Sequence, residues 1–239
     1  EEALKVAERF NIDIQDLRAP LDVEETSRID VEDDYTLILV DIPTQEERNN
    51  KSYYVTIPLG IIVTDEVVVT TCLENISLMD DFLNHRVRNF YTFMKTRFVF
   101  QILYRNAQLY LTALRSIDRQ NDKLEAQLEN STKNEHLIDM MELEKSIVYL
   151  KASLKMNERI VKKLTGNASS LKKYIEDEDL LEDTLVETQQ AIEMAGIYEN
   201  VLNAMTETSA SIINNNQNTI MKTLALMTMA LDIPTVIFS

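Results

Sequence analysis

Two rhythms of apolar residues divide this chain. Up to about residue 95 they fall in short runs of β-branched and aromatic side chains: Tyr35–Ile42, Ser52–Ile57, Gly60–Thr64 and Glu66–Cys72. Such runs predict strands, and Asp65-Glu66 sits where a tight hairpin turn would join the last two. Leu4, Val6, Ala7 and Phe10 mark a short amphipathic helix, Ile14–Ala19 a second one before Pro20, and Ser77–Arg88 a third that packs on the sheet. From about Thr96 the period becomes helical. Phe98, Ile102, Leu109, Leu114, Ile117, Leu124 and Leu128 predict one helix, broken at residues 130–134. Ile138, Met141, Ile147, Leu150, Leu154 and Val161 predict another over 135–164, and the two pair as an antiparallel hairpin. Thr165-Gly166-Asn167 reads as its C-cap, with glycine in the left-handed conformation. A short helix is expected to end near Asp179, and a long one to begin at Asp183.

That last helix dominates the pattern. No proline interrupts it before Pro234, and Gly196 is its one glycine. About 57 residues would span about 85 Å, several times a globular domain's needs, so such a rod requires partners along its length. Its end, Leu224–Ser239, carries a single charge, Asp232. The reading is a helix that starts in water and ends in lipid, in a chain truncated in front and cut just inside a first membrane span. Three regions follow: a small α/β domain at 1–95, a helical hairpin region at 96–180, and a stalk helix at 181–239. The fold class is α+β, dominated by helix.

Composition sharpens this. Only 3 glycines and 4 prolines occur in 239 residues, which leaves long stretches free of helix breakers. Net charge is −16, from 40 acidic and 24 basic residues. A field of that sign repels nucleic acid and attracts divalent cations or basic partners. The single cysteine, Cys72, forms no internal disulfide and reads as a buried strand residue. His85 and His136 lie far apart, and there is no phosphate loop, nucleophile elbow or Cys/His cluster. No enzyme is expected.

The candidate chemistry is on the terminal helix. Asn214, Asn218, Met221, Ala225, Thr228 and Asp232 follow at steps of four, three, four, three and four, a narrow stripe of polar and soft side chains. It suits either a polar seam between crossing helices or a pore lining that addresses a hydrated ion. A carboxylate such as Asp232 inside an apolar segment costs several kcal/mol unless it faces water, an ion or a partner. The acidic run Glu176–Asp179 with Glu182 and Asp183 suits a helix N-terminus, and also hydrated Mg²⁺.

The order of these parts resembles the cytoplasmic portion of CorA-type divalent-cation transporters. The resemblance lies in Arg28-Ile-Asp30 with Asp33–Leu39, in the Gly60–Thr71 hairpin, and in Asn218–Leu224 followed by Ile233-Pro-Thr235. It implies a funnel-shaped homopentamer in the inner membrane, with this portion on the cytoplasmic side and five long helices continuing into the bilayer. It implies Mg²⁺ as transported and regulatory ion, Co²⁺ or Ni²⁺ as secondary ions, and no organic cofactor. Asn218 would line the pore entrance, and Met221 and Leu224 would form a hydrophobic gate. Asp232 falls where relatives place an apolar pore residue. The family's Gly-Met-Asn motif and a second span would follow Ser239. Asp183 matches a position that binds regulatory Mg²⁺ between subunits, with Glu182 and Asp179 nearby. Its usual acidic partner is replaced by Ala19, and Asp16 and Asp22 are the nearest carboxylates. A zinc transporter of the same superfamily would favour histidine or cysteine along the path, and the terminal helix has neither. A soluble coiled-coil tether is the alternative from another class.

Overall fold

The computed structural model describes residues 2–48, 51–130, 134–166, 171 and 175–238. Four antiparallel strands form one sheet in the order β1 (Ile29–Val31), β2 (Tyr35–Arg48), β3 (Lys51–Thr64) and β4 (Val68–Cys72). Alternation along β2 sends its side chains to two separate cores. Tyr35, Leu37 and Leu39 pack with Ile62 beneath α1 (Glu2–Phe10) and α2 (Ile14–Arg18). Ile38, Val40 and Ile42 face the other way, toward α3 (Ser77–Leu83), α4 (Lys95–Asn130) and α5 (Asn134–Thr165). Beyond these lies α6 (Ile175–Phe238), which seats Ala191, Ala195 and Leu202 against Tyr110, Leu114, Ile147 and Leu150. The layers therefore run α1/α2, sheet, α4/α5, α6.

Several expected boundaries move, each for a physical reason. The segments 52–57 and 60–64 form one strand that passes through Pro58. Arg28 and Leu39 exchange both backbone hydrogen bonds, at 3.2 and 2.8 Å, so alternate residues of β2 turn their polar groups toward β1. Asp41 is one of these, and its register partner is Pro58. The ladder between β2 and β3 thus asks for no N–H at Pro58. The third helix stops at Leu83, because His85 takes φ 54° and the Asn84 side chain donates to the Asp80 carbonyl at 2.8 Å. The expected left-handed Gly166 is not found: its φ is not positive, and α5 closes on the Thr165 hydroxyl, which donates to Val161 O at 2.8 Å. The expected break between Asp179 and Asp183 is also absent. Acidic side chains near a helix N-terminus are favourable, and Leu180, Leu181 and Leu185 pack into the core, so α6 runs on without interruption. The Asp65-Glu66 turn forms as expected, with Thr64 N–H donating to Val67 O at 3.0 Å.

Beyond the end of β1, the edge of β2 is covered by side chains of the helical layer. Asn157 of α5 accepts from Asp41 N–H at 3.0 Å and donates to Asp41 O at 2.7 Å, the bonds a neighbouring strand would make. Asn106 at 2.8 Å and Tyr110 at 3.2 Å, both on α4, donate to the same carbonyl. Ser146 on α5 accepts from Tyr54 N–H of β3 at 3.2 Å. Burial raises the pKa of the Asp41 carboxyl, partly offset by its bond with Ser153. These contacts fix the sheet on the helices that carry α6.

Candidate functional site

Among the described side chains of α6, Ser209 is the last that is buried. From there the helix runs on for about 40 Å. Ile220, Met221, Leu224, Leu226, Met227 and Met229 are each between 63% and 70% exposed, on all sides of the rod. A helix that is apolar all round calls for burial by something else. The threonines satisfy themselves within it: Thr219, Thr223 and Thr228 each donate to the carbonyl four residues earlier, at 2.9–3.0 Å.

Asn218, Met221, Ala225 and Thr228 lie within an arc of about 80° at the 3.6-residue pitch, with Leu224 about 40° beyond Thr228. All five are exposed. Asn214 and Asp232 are on the same helix, and their side chains lie outside the described residues. Asn218, Met221, Ala225 and Thr228 thus share an exposed face of α6. Among the described residues no helix is long and apolar enough to cross a membrane.

The expected regulatory carboxylates occupy two distant layers. Asp179, Glu182 and Asp183 are exposed near the start of α6. Asp16 is on α2, across the sheet, and it accepts the Tyr35 hydroxyl at 2.6 Å. Burial, then this bond, pushes the Tyr35 pKa up to about 12. Asp22 is exposed and accepts Glu24 N–H at 3.0 Å. Between them Ala19 opens a 3₁₀ turn whose Pro20 is pressed onto Gly60 of β3. Among the described residues no three His, Cys, Asp or Glu side chains converge on a point where a metal could sit.

The sequence pattern places Asp177 in an acidic run suited to a helix N-terminus or to hydrated Mg²⁺. It is 1% exposed and lines a cavity of about 670 Å³ with Glu32, Asp34, Lys95 and Arg97. Its spacing four residues before Leu181, itself buried, was the available signal.

The family profile described as CorA-like Mg2+ transporter protein matches residues 1–239, the whole chain. The chain belongs to this family. Its members are ion transporters and not enzymes, which agrees with the expected absence of catalysis. The Cobalt/magnesium transport protein CorA of Methanocaldococcus jannaschii is 27% identical over 248 residues, covering 98% of this chain and 73% of that protein. The complete structure of the CorA magnesium transporter from the same organism aligns with TM-score 0.81 at 24% identity, over 95% of this chain and 71% of that one. The structure of its soluble domain aligns with TM-score 0.78, also at 24% identity, over 88% and 83%. The ZntB cytoplasmic domain from Vibrio parahaemolyticus RIMD 2210633 aligns at 0.64 with 10% identity, over 90% and 83%. This CorA-family chain thus has the fold of those domains.

Proposed function

We propose that this chain is the cytoplasmic funnel and pore-entrance helix of a homo-oligomeric Mg²⁺ channel of the inner membrane, with a pentamer the expected form and Co²⁺ or Ni²⁺ as secondary ions. The supporting observation is the end of α6, where Asn218, Met221, Ala225 and Thr228 share a face that is exposed among the described residues. Copies of the rod arranged about an axis would bury its apolar sides against one another and turn this stripe inward. Amides and hydroxyls there suit an ion that keeps its water, because Mg²⁺ dehydrates reluctantly. Met221 and Leu224 would close the path by excluding water when the helices approach.

Regulation by internal Mg²⁺ is part of the same proposal. Asp183, with Glu182 and Asp179, would have to meet carboxylates of a neighbouring copy, of which Asp16 and Asp22 are the nearest to the Ala19 position. Among the described residues, one chain leaves that ligand set open to a neighbouring copy.

The test is Mg²⁺ uptake by liposomes carrying the full-length protein, with internal Mg²⁺ varied. Asn218→Leu is expected to cut uptake at least tenfold. Met221→Asp is expected to hydrate the constriction, so that uptake continues at internal Mg²⁺ that closes the unaltered protein. Unchanged flux in both variants would place the ion path elsewhere.

A further inference from the structure

The joint between the sheet and the helical layer closes on one residue. Asn106, Tyr110 and Asn157 all bond the backbone of Asp41, at 2.7–3.2 Å, and its side chain brings a carboxyl to the same place. Packed around it are Asn106 and Tyr110 of α4, Ser153 and Asn157 of α5, and Pro58 of β3 across the register. Ser153 also bonds Thr56 of β3 at 3.0 Å. Tyr110 is the titratable member of this set and is fully buried. Burial, then the Asp41 charge, holds its pKa well above the ordinary value, so the phenol stays neutral. Among the described residues no cation is paired with Asp41.

Those surroundings suit a neutral acid better than a carboxylate. A charge removed from water is costly unless it is paired or fully hydrogen-bonded, and here one hydroxyl, that of Ser153, serves the carboxyl. The joint is also short of a donor. Asn106, whose amide donates to the Asp41 carbonyl, leaves its own Oδ1 buried with no partner among the described residues. A proton on Asp41 removes the charge and adds a donor. We propose that Asp41 is a proton-operated latch: its neutral carboxyl holds β2 against α4 and α5, and ionisation loosens that joint. Burial raises the Asp41 pKa above the usual aspartate value, with the Ser153 bond opposing. The folded chain therefore binds this proton more tightly than the unfolded chain does. The stabilisation is complete below the usual aspartate value and is lost as pH rises through the folded value. α6 is seated on α4 and α5, so the proton sets how firmly the stalk is tied to the sheet. The latch belongs to the fold of one chain and does not rest on the pore reading.

Urea unfolding of the 239-residue chain and of its Asp41→Asn variant, from about pH 4.5 to about pH 8, tests this. Asparagine keeps the shape of the neutral acid and cannot ionise. Taking the ratio of the two folding constants at each pH cancels the titration of the other carboxylates. That ratio, variant over unaltered chain, is expected to rise about threefold or more across the range and then level off. Amide exchange in β2 should slow in the variant in step with it. In a Ser153→Ala background, where the hydroxyl opposing burial is gone, the same ratio should level off at higher pH, a displacement that a purely structural loss does not produce. A ratio independent of pH, a ratio that falls as pH rises, or a plateau unmoved by Ser153→Ala would overturn the latch.

Discussion

Gly60→Val should leave the α/β domain unable to pack its outer layer, lowering stability by about 3 kcal/mol or more. A side chain starting at Gly60 would place its Cβ 2.3 Å from Pro20 Cγ and 2.7 Å from Thr71 Oγ1. The φ at Gly60 is not positive, so space and not backbone freedom demands the glycine. Neither neighbour yields cheaply. Pro20 is a ring held between α2 and the sheet, and Thr71 belongs to β4, where its hydroxyl is buried without a partner among the described residues. Relief requires lifting the 3₁₀ turn from the sheet, which uncovers Leu17, Leu37 and Ile62. Against a typical total of about 5–15 kcal/mol, such a loss is a large fraction. Urea unfolding would measure it, with Gly60→Ala intermediate. An unchanged midpoint for the valine variant would mean that the turn is not seated as described.

Asn157→Leu is expected to cost about 2–4 kcal/mol. Leucine has similar bulk but can neither accept from Asp41 N–H nor donate to Asp41 O. The carbonyl keeps Asn106 and Tyr110, whereas the N–H loses its one bond from α5. Leaving a buried donor unsatisfied costs more than the bond itself contributes. The same change loosens the sheet from the layer that carries α6, so faster amide exchange in β2 should accompany the lower denaturant midpoint. A loss under about 0.5 kcal/mol would assign the attachment to apolar packing alone.

These sites show which parts of the molecule were legible in the chain. Period alone located β2, the 64–67 turn, both hairpin helices and the stalk, because each buries a stripe at its own repeat. It could not locate Asn157 as a surrogate strand, since the partner edge exists only after α5 folds across β2. It split β3 at Pro58, where the usual rule against proline in strands yields to a position with no ladder bond to make. Gly166 was assigned a left-handed cap from residue type, but the Thr165 hydroxyl closes the helix. Asp177 was counted with its acidic neighbours, although burial is decided by facing and not by composition. The shared face from Asn218 to Thr228 follows from helical spacing alone, and among the described residues it stays exposed.

Solvent access along the stalk tests the central claim most directly. Single cysteines at positions 218, 221, 225 and 228, and at 220, 226 and 227, would be placed in the full-length protein with Cys72→Ser. Each would be treated with a small hydrophilic thiol reagent during Mg²⁺ flux. Block is expected at the first four positions and not at the other three. Block confined to 220, 226 and 227, or spread equally over all seven, would contradict a shared aqueous axis lined by Asn218, Met221, Ala225 and Thr228.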